Sequence, residues 1–267
     1  MDSKLFRDLH RSADLLVLPN AWDAGSARLI ESRGAKAIAT TSAGVAWSHG
    51  YPDGDALPAE VLLASVHEIS RAIRVPLSVD IEGGYSDDPA AVAKLVTGVI
   101  DAGAVGINIE DGTASPEQLC AKLEAARKAA SSSGVDLFIN VRTDVFLRAL
   151  FTGDAAVEEV IRRSSLFREA GCDGIFVPAL TQASHIETIS KAIGLPLNIM
   201  LMPGLPSFEE LYRQGVRRLS AGSAIAQAAL ALTAHYADDL LAGSGEEIFA
   251  RTIDYPTTNA LFSSPAL

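Results

Sequence analysis

The chain alternates short apolar runs with longer segments in which apolar residues recur at helical spacing. The apolar runs occupy residues 15–18, 37–41, 77–82, 106–111, 137–142, 174–178, 197–201 and 217–221. The helical segments that follow them begin near residues 23, 58, 89, 116, 154, 182, 206 and 224. Regular strand–helix alternation is typical of a parallel sheet, and about eight units favour closure into a barrel. The pattern therefore predicts an α/β fold, the (β/α)8 TIM barrel.

The connections within this pattern show no boundary between domains. Residues 42–54, after the second strand, are rich in glycine and are predicted to form a loop. Near the end, Gly243-Ser244-Gly245 separates the long helix at 224–241 from a short one near 246–253. We predict a single barrel domain over residues 1–267, with a C-terminal helical extension over about residues 224–267.

Composition and charge restrict the class of protein and of partner. The chain is 48% hydrophobic, but no apolar run reaches the roughly 20 residues of a membrane span. The first ten residues lead into no apolar signal segment, so we expect a cytoplasmic protein. A net charge of −11 argues against nucleic acid and anionic membranes as partners. Cys120 and Cys172 lack metal-site spacing and are predicted to be reduced thiols.

The third strand ends in two carboxylates that suggest a site. Alternate residues of a strand face the same side, so Asp80 and Glu82 are predicted to share a face before Gly83-Gly84 ends the strand. Two like charges there repel unless a cation or a shared proton offsets the repulsion. From these residues alone, a divalent cation site and an exposed acidic turn both remain open.

Other predicted strands also end in polar residues. These are Asn20, Ser42 with Gly44, Glu110 with Asp111, and Arg142 with Asp144, while Asp53 lies in the loop after strand two. A single such carboxylate is commonly a helix cap or a solvated loop charge. Because barrel strands bring their carboxyl ends together, several at once indicate a bound cation and give Arg142 a task. Mg²⁺ suits an all-oxygen site, with Mn²⁺ as an alternative.

Five motifs, in this order, resemble the isocitrate lyase/phosphoenolpyruvate mutase superfamily over nearly the whole chain. The motifs are PNAWDAGSAR (19–28), TSAG (41–44), YPD (51–53), VDIEGGY (79–85) and NIEDG (108–112). The resemblance implies that Asp80 binds Mg²⁺ directly while Glu82 and Glu110 hold its water ligands. It also implies that Arg142 pairs with a carboxylate of the substrate.

The resemblance extends to the residues that would hold the substrate. It implies that the N–H groups of Ser42 and Gly44 hold an oxyanion or carboxylate, as an enolate would require. The candidate catalytic residues are Ser42, Gly44, Asp53 and Arg142. The candidate substrate-binding residues are Asn20, Ser42, Gly44, Asp80, Arg142 and Asn198.

The chain departs from its relatives in the loop after the fourth strand. Isocitrate and methylisocitrate lyases carry a Lys-Lys-Cys-Gly-His-type motif there, but this chain runs from Glu110 through a short loop into a helix. Cys120 lies inside that helix and is predicted to be a packing residue. The Asn-bearing lid of the mutases is missing too, and Pro178 stands where phosphonate-processing relatives often place a His.

The sequence therefore favours a Mg²⁺-dependent lyase-type enzyme acting on a small 2-oxo acid or a related 2-hydroxy carboxylate. The reaction would be cleavage of a C–C bond, or hydrolysis, through an enolate. The alternative is a 2-oxo acid binding or sensing protein without lyase activity; a phosphonate mutase or hydrolase is less favoured.

The resemblance also implies a homotetramer, a dimer of dimers in which the last helix is exchanged between paired subunits. The apolar character of residues 224–241 over most of the helix surface agrees with this assembly.

Overall fold

The computed structural model describes residues 2–263, so Met1 and residues 264–267, the end of the predicted extension, lie outside the described residues. The strands are β1 (Leu16–Leu18), β2 (Asn20–Ala21), β3 (Ile38–Thr40), β4 (Leu77–Asp80), β5 (Gly106–Glu110), β6 (Phe138–Arg142), β7 (Gly174–Val177), β8 (Leu197–Met200) and β9 (Val216–Ser220). The helices are α1 (Ser3–Leu9), α2 (Ala24–Ser32), α3 (Ser42–Ser48), α4 (Ala59–Ala72), α5 (Pro89–Asp101), α6 (Pro116–Ser132), α7 (Gly153–Glu169), α8 (Ala183–Ile193), α9 (Phe208–Arg213), α10 (Ala224–Leu241), α11 (Glu246–Ala250) and α12 (Tyr255–Phe262).

The strands form one parallel sheet that nearly closes on itself, in the order β1-β9-β8-β7-β6-β5-β4-β3-β2. β1 pairs with β9, and β2 pairs with β3. Pro19 stands between β1 and β2 and has no N–H group to give to a ladder, so the first predicted strand is divided there. The predicted (β/α)8 barrel is confirmed, with its first strand in two pieces.

The strands alternate between two kinds of buried side chain. One set packs under the surrounding helices, and it includes Val79, Ile107, Ile139, Ile175 and Ile199. The residues between them are polar and bond to one another inside the barrel. Asn108 donates to Asp80 Oδ2 at 3.3 Å, and Asn140 donates to Asn108 and Asn198 at 2.9 and 3.1 Å. The barrel interior is thus a hydrogen-bonded layer that ends at Asp80.

Three segments differ from the sequence prediction. One is α12, which follows the short helix predicted near residues 246–253. α1 was not predicted; its Phe6 is fully buried and packs edge-on against Phe138, covering the end of the barrel where the strands begin. Residues 42–48 form α3 rather than a loop, because the Thr41 hydroxyl accepts from the Gly44 N–H and Val45 and Ala46 are buried.

The C-terminal helices leave much apolar surface exposed. α10 buries Ala226 alone among its residues, while Leu240 is 64% and Leu241 is 87% exposed. A groove of about 560 Å³ lies on the outside of β1, and Val17, Leu29 and Ile253 are among the residues that line it. No helix within residues 2–263 is long and apolar enough to cross a membrane. The exchange of α10 between subunits stays a prediction.

Candidate active site

Asp80 ends β4 at the edge of the barrel where the strand carboxyl ends meet. It is 8% exposed. Its Oδ2 atom accepts from the Asn108 side chain at 3.3 Å, and its Oδ1 atom accepts from the Glu82 N–H at 3.0 Å. The main chain also positions it, because the Asp80 N–H donates to the Thr40 hydroxyl at 2.8 Å. These bonds fix the carboxylate before any ligand arrives.

The prediction that Asp80 and Glu82 share a strand face is wrong. β4 ends at Asp80, and Glu82 lies in the left-handed region with φ 51°. Its carboxylate turns toward the loop after α3, where Oε2 accepts from the Gly54 and Asp55 N–H groups; Gly54 N lies 2.9 Å away. The Tyr85 hydroxyl donates to Oε1 at 2.9 Å. Glu82 therefore reaches the site from a turn, held by protein donors on both oxygens.

Glu110 and Arg142 meet at the ends of β5 and β6. Glu110 Oε2 lies 2.6 Å from Arg142 Nη1. Arg142 also donates to both carboxylate oxygens of Asp144, from Nε at 2.7 Å and from Nη2 at 3.0 Å. The guanidinium is thus held between two carboxylates.

Burial is the main influence on the acidic groups of this site. It raises the pKa of Asp80 and of Glu82, and the charge of Asp53 adds to the effect on both. The Arg142 ion pair by itself would lower the pKa of Glu110, but burial outweighs it and raises the pKa to about 8. The charges of Asp80 and Asp144 contribute to that rise. For Arg142, the neighbouring carboxylates outweigh burial, and its pKa is raised.

These properties fit a hard divalent cation. Buried carboxylates with one shared guanidinium repel one another, and a further cation would offset that repulsion. Asp80, Glu82 and Glu110 offer oxygen ligands, as Mg²⁺ prefers. Their ligand atoms do not form a cluster within 4.8 Å; among residues 2–263, the three-residue cluster at that spacing is on α10 and α11.

The predicted oxyanion residues lie at the start of α3. Ser42 is its first residue, and the Gly44 N–H donates to Thr41 Oγ1 at 3.4 Å. A Cβ at position 44 would lie 2.6 Å from the Thr41 methyl group and 2.9 Å from Trp22 Cβ. Close packing therefore accounts for the glycine. The Gly44 amide is a less free donor than the sequence suggested.

Other predicted residues have different surroundings. Asn20 is buried, donates to Thr40 O at 2.8 Å and accepts from the Ala221 N–H at 2.8 Å, so its amide ties β2 to β3 and to the loop after β9. Asn198 is buried and donates to Ile199 O at 2.7 Å. Asp53 lies in the exposed loop after α3, near enough to act on Asp80 and Glu82. A role for each in binding substrate stays a prediction.

The sequence analysis grouped Asp111 with the carboxylates of the site, but in the structure its side chain connects loops to a helix. Its side chain is fully buried and accepts from Arg163 Nη1 at 2.7 Å, the Thr143 hydroxyl at 2.6 Å and the Asp144 N–H at 2.9 Å. These bonds join the loops after β5 and β6 to α7. The partner Arg163 lies 52 residues away, and no local pattern pointed to it.

The loop between β5 and α6 is short, as predicted. It spans residues 111–115, and α6 begins at Pro116 with a capping box made by Ser115 and Gln118. Cys120 lies in α6 and packs against the apolar core, and burial raises the pKa of its thiol. No cysteine is therefore available as an acid on this loop.

The chain matches the family model for phosphoenolpyruvate phosphomutase over residues 6–241. It belongs to this family. The resemblance drawn from the motifs is confirmed.

Three proteins illustrate what the chain is similar to. An uncharacterized protein of Mycobacterium tuberculosis is 36% identical over 260 residues, which cover 94% of this chain and 96% of that protein. A 2-methylisocitrate lyase of Aeropyrum pernix is 30% identical over 206 residues, 72% of this chain and 63% of that enzyme. The crystal structure of a candidate phosphonomutase from Burkholderia cenocepacia J2315 is 38% identical, with a TM-score of 0.84 over 88% of this chain and 98% of that one.

Proposed function

We propose that the protein is a Mg²⁺-dependent lyase-type enzyme that acts on a small 2-oxo acid or a related 2-hydroxy carboxylate. The observation that carries the proposal is the buried group of acidic side chains at the carboxyl ends of the strands, in which Glu110 pairs with Arg142 and the charges of Asp80 and Glu82 help to raise the pKa of Glu110. Membership in a family that includes a named C–C lyase supports it. The reaction would be cleavage of a C–C bond, or hydrolysis, through an enolate.

In this proposal the site residues divide the work. Asp80 would hold Mg²⁺ directly, with Glu82 and Glu110 binding its water ligands; when bound, the ion supplies a Lewis acid for the developing enolate charge. Arg142, held in place by Asp144, pairs with the substrate carboxylate. The Ser42 and Gly44 amides share the oxyanion, Asp53 exchanges a proton, and Asn20 and Asn198 support the substrate from the interior.

Two other functions have an observation in their favour. A loop as short as residues 111–115 would leave the site open to water, which favours simple binding of a 2-oxo acid over chemistry that shelters a carbanion. The 38% identity to a candidate phosphonomutase favours phosphonate chemistry, although Pro178 follows β7 in this chain.

A substrate panel separates these functions. Oxaloacetate, 2-oxoglutarate, 2-methylisocitrate and phosphonopyruvate would each be tested for turnover and for a thermal shift, with Mg²⁺, with Mn²⁺ and after EDTA treatment. We expect metal-dependent turnover of a 2-oxo acid. A shift without turnover would favour the binding protein, and turnover confined to phosphonopyruvate would favour the phosphonate enzyme. Turnover that survives EDTA would overturn the metal site.

The proposal also includes the assembly of the protein. We propose a single barrel domain with a C-terminal helical extension, in a homotetramer whose α10 is exchanged between paired subunits. Its support is the exposed apolar surface of α10 and the uncovered groove beside β1, where Val17 is 38% exposed. A helix from a second subunit would cover both.

A further inference from the structure

Three residues beside the candidate site have an unusual backbone conformation. Asp55, Glu82 and Tyr85 have φ values of 56°, 51° and 57°, in the left-handed region that residues other than glycine rarely adopt. The described chain has five such residues, and these three contact one another. A strained conformation persists when the surrounding contacts stabilise it, and it commonly marks a functional position.

The contacts between these residues join two loops through one carboxylate. Glu82 lies in the turn after β4, and its Oε2 atom accepts the Gly54 and Asp55 N–H groups of the loop after α3. Its Oε1 atom accepts the Tyr85 hydroxyl at 2.9 Å. Asp55 completes the cluster, since its Oδ1 atom accepts the Tyr85 N–H at 3.2 Å. Both oxygens of Glu82 thus hold protein groups together.

A buried lysine also bonds to the turn that contains Glu82. Lys122 on α6 donates to the Gly83 carbonyl at 2.9 Å, and its side chain is 7% exposed. Gly83 packs against Asp55, whose Oδ2 atom would lie 3.0 Å from a Cβ placed on that glycine. The turn is therefore fixed by α6, and the loop is fixed to the turn.

The loop itself has little other support. Residues 51–56 are exposed, and Leu57 is the first buried side chain that follows. Asp53 stands one residue before Gly54, so the two amides bonded to Glu82 determine where its carboxylate lies. The Gly54 N–H donates to Glu82 at 2.9 Å, and the Glu82 N–H donates to Asp80 Oδ1 at 3.0 Å, so the loop that carries Asp53 is linked to the end of β4. The charge of Asp53 also contributes to the raised pKa of Asp80 and of Glu82.

We propose that Glu82 holds the loop at residues 51–57 in place through its bonds to Gly54, Asp55 and Tyr85, a set of bonds that we call the latch. Tyr85 and Asp55 are positioning residues that keep Asp53 beside Asp80. These bonds to Glu82 are present whichever reaction the site carries out. Only the role of Asp53 as the group that exchanges a proton rests on the proposed function. The sequence signal for it is the tyrosine three residues after Glu82.

Hydrogen exchange tests the latch directly, because the Gly54 and Asp55 amides belong to an exposed loop and are bonded to Glu82. In Tyr85→Phe, which removes one donor to Glu82, we expect exchange in residues 51–57 to become about tenfold faster, as loss of a bond to a charged group implies. Asp55→Ala should act in the same direction. The matched control is Tyr236→Phe on α10, which removes a phenol hydroxyl outside the cluster.

The readouts separate this proposal from the proposed function. Exchange is measured without substrate, so loop exchange in Tyr85→Phe equal to that of the unmodified protein would overturn the latch whatever the reaction is. With a turned-over 2-oxo acid, Tyr85→Phe should lower kcat about tenfold while KM and the Mg²⁺ affinity stay within about twofold. Faster exchange with unchanged kcat would overturn the positioning of Asp53.

Discussion

Glu110 and Arg142 are register partners on β5 and β6, and their side chains form an ion pair with Oε2 and Nη1 2.6 Å apart. The pair joins a candidate metal residue to a candidate substrate residue. A substrate carboxylate that binds Arg142 would compete with Glu110 for this guanidinium. If it displaced Glu110, the carboxylate of Glu110 could turn toward an ion beside Asp80, so binding of metal and of substrate should favour each other.

The first prediction concerns the metal. Asp80→Ala should abolish Mg²⁺-dependent binding of 2-oxo acids, because it removes the one carboxylate fixed at the end of β4. The free energy of unfolding should fall by about 1 to 3 kcal/mol, because the variant loses two hydrogen bonds and the negative charge that acts on the buried Arg218, while relief of like-charge repulsion offsets part of the loss. Calorimetry of binding checks it. Asp101→Ala, at an exposed position at the end of α5, is the control. Unchanged Mg²⁺-dependent affinity would refute this placement of the metal.

The second prediction concerns Arg142. Arg142→Lys loses the two-pronged contact with Asp144 and should weaken 2-oxo acid binding by about tenfold to a hundredfold, while Mg²⁺ binding to the free protein is retained. Titration with Mg²⁺ alone and then with oxaloacetate separates the two effects. Arg148→Lys is the matched control, since Arg148 also contacts Asp144 but is half-exposed. Equal losses in both variants would assign Arg142 a structural role only.

The third prediction concerns the short loop. Cleavage of isocitrate or 2-methylisocitrate should be undetectable, because that reaction needs an acid on the face of the enolate opposite the metal. Residues 111–115 offer no thiol, and the thiol of Cys120 is turned to the core. A hydrazone assay for the released 2-oxo acid provides the measurement. Turnover of about 1 per second or faster would show that another residue supplies the proton.

The fourth prediction concerns pH and His10, at the end of the barrel where the strands begin. His10 is buried, stacks on Phe138 with ring centroids 3.9 Å apart, and burial lowers its pKa from 6.5 to about 3. His10 is therefore protonated below about pH 6.5 in the unfolded chain, but only below about pH 3 in the folded chain. Stability should fall as pH falls through that window, by about 1 kcal/mol between pH 7 and 5.5 from this residue.

His10→Phe keeps the aromatic stack and removes the titrating group. Urea unfolding of both proteins at pH 7 and 5.5 should show a smaller loss of stability in the variant. The free energy of unfolding of each protein is compared with its own value at pH 7, so the hydrogen bond lost from His10 to the Phe6 carbonyl cancels. Identical losses in the two proteins would contradict the buried neutral imidazole.

The fifth prediction concerns assembly. Light scattering at micromolar concentration should give a mass well above the 28.0 kDa of one chain. Leu230→Glu, on an exposed apolar position of α10, should shift the mass toward the monomer, because a charge placed in an apolar interface is strongly unfavourable. Glu158→Gln on α7 is a surface control. A monomeric mass for the unmodified protein would refute the exchange of α10.

The sequence by itself determined the alternation of strands and helices, the barrel, the short loop after β5 and the family. Each of these depends on local information. Periods of two and 3.6 residues report which side chains are buried, and Pro116 with Ser115 marks the start of a helix. The motif residues Asp80 and Glu110 were found at strand ends for the same reason, because the end of an apolar run is visible in the chain.

Only the tertiary structure decided how those residues meet. Glu82 lies outside β4, in a turn, where its carboxylate accepts the N–H groups of Asp55 and Gly54. These residues are 27 and 28 positions earlier in the chain. Asn198 turned inward to the hydrogen-bonded layer, and Arg142 found Glu110 through the register of β5 and β6. Such partners are set by packing and strand register, which depend on the whole barrel, and hydrophobic periodicity carries no information about which distant polar groups pair.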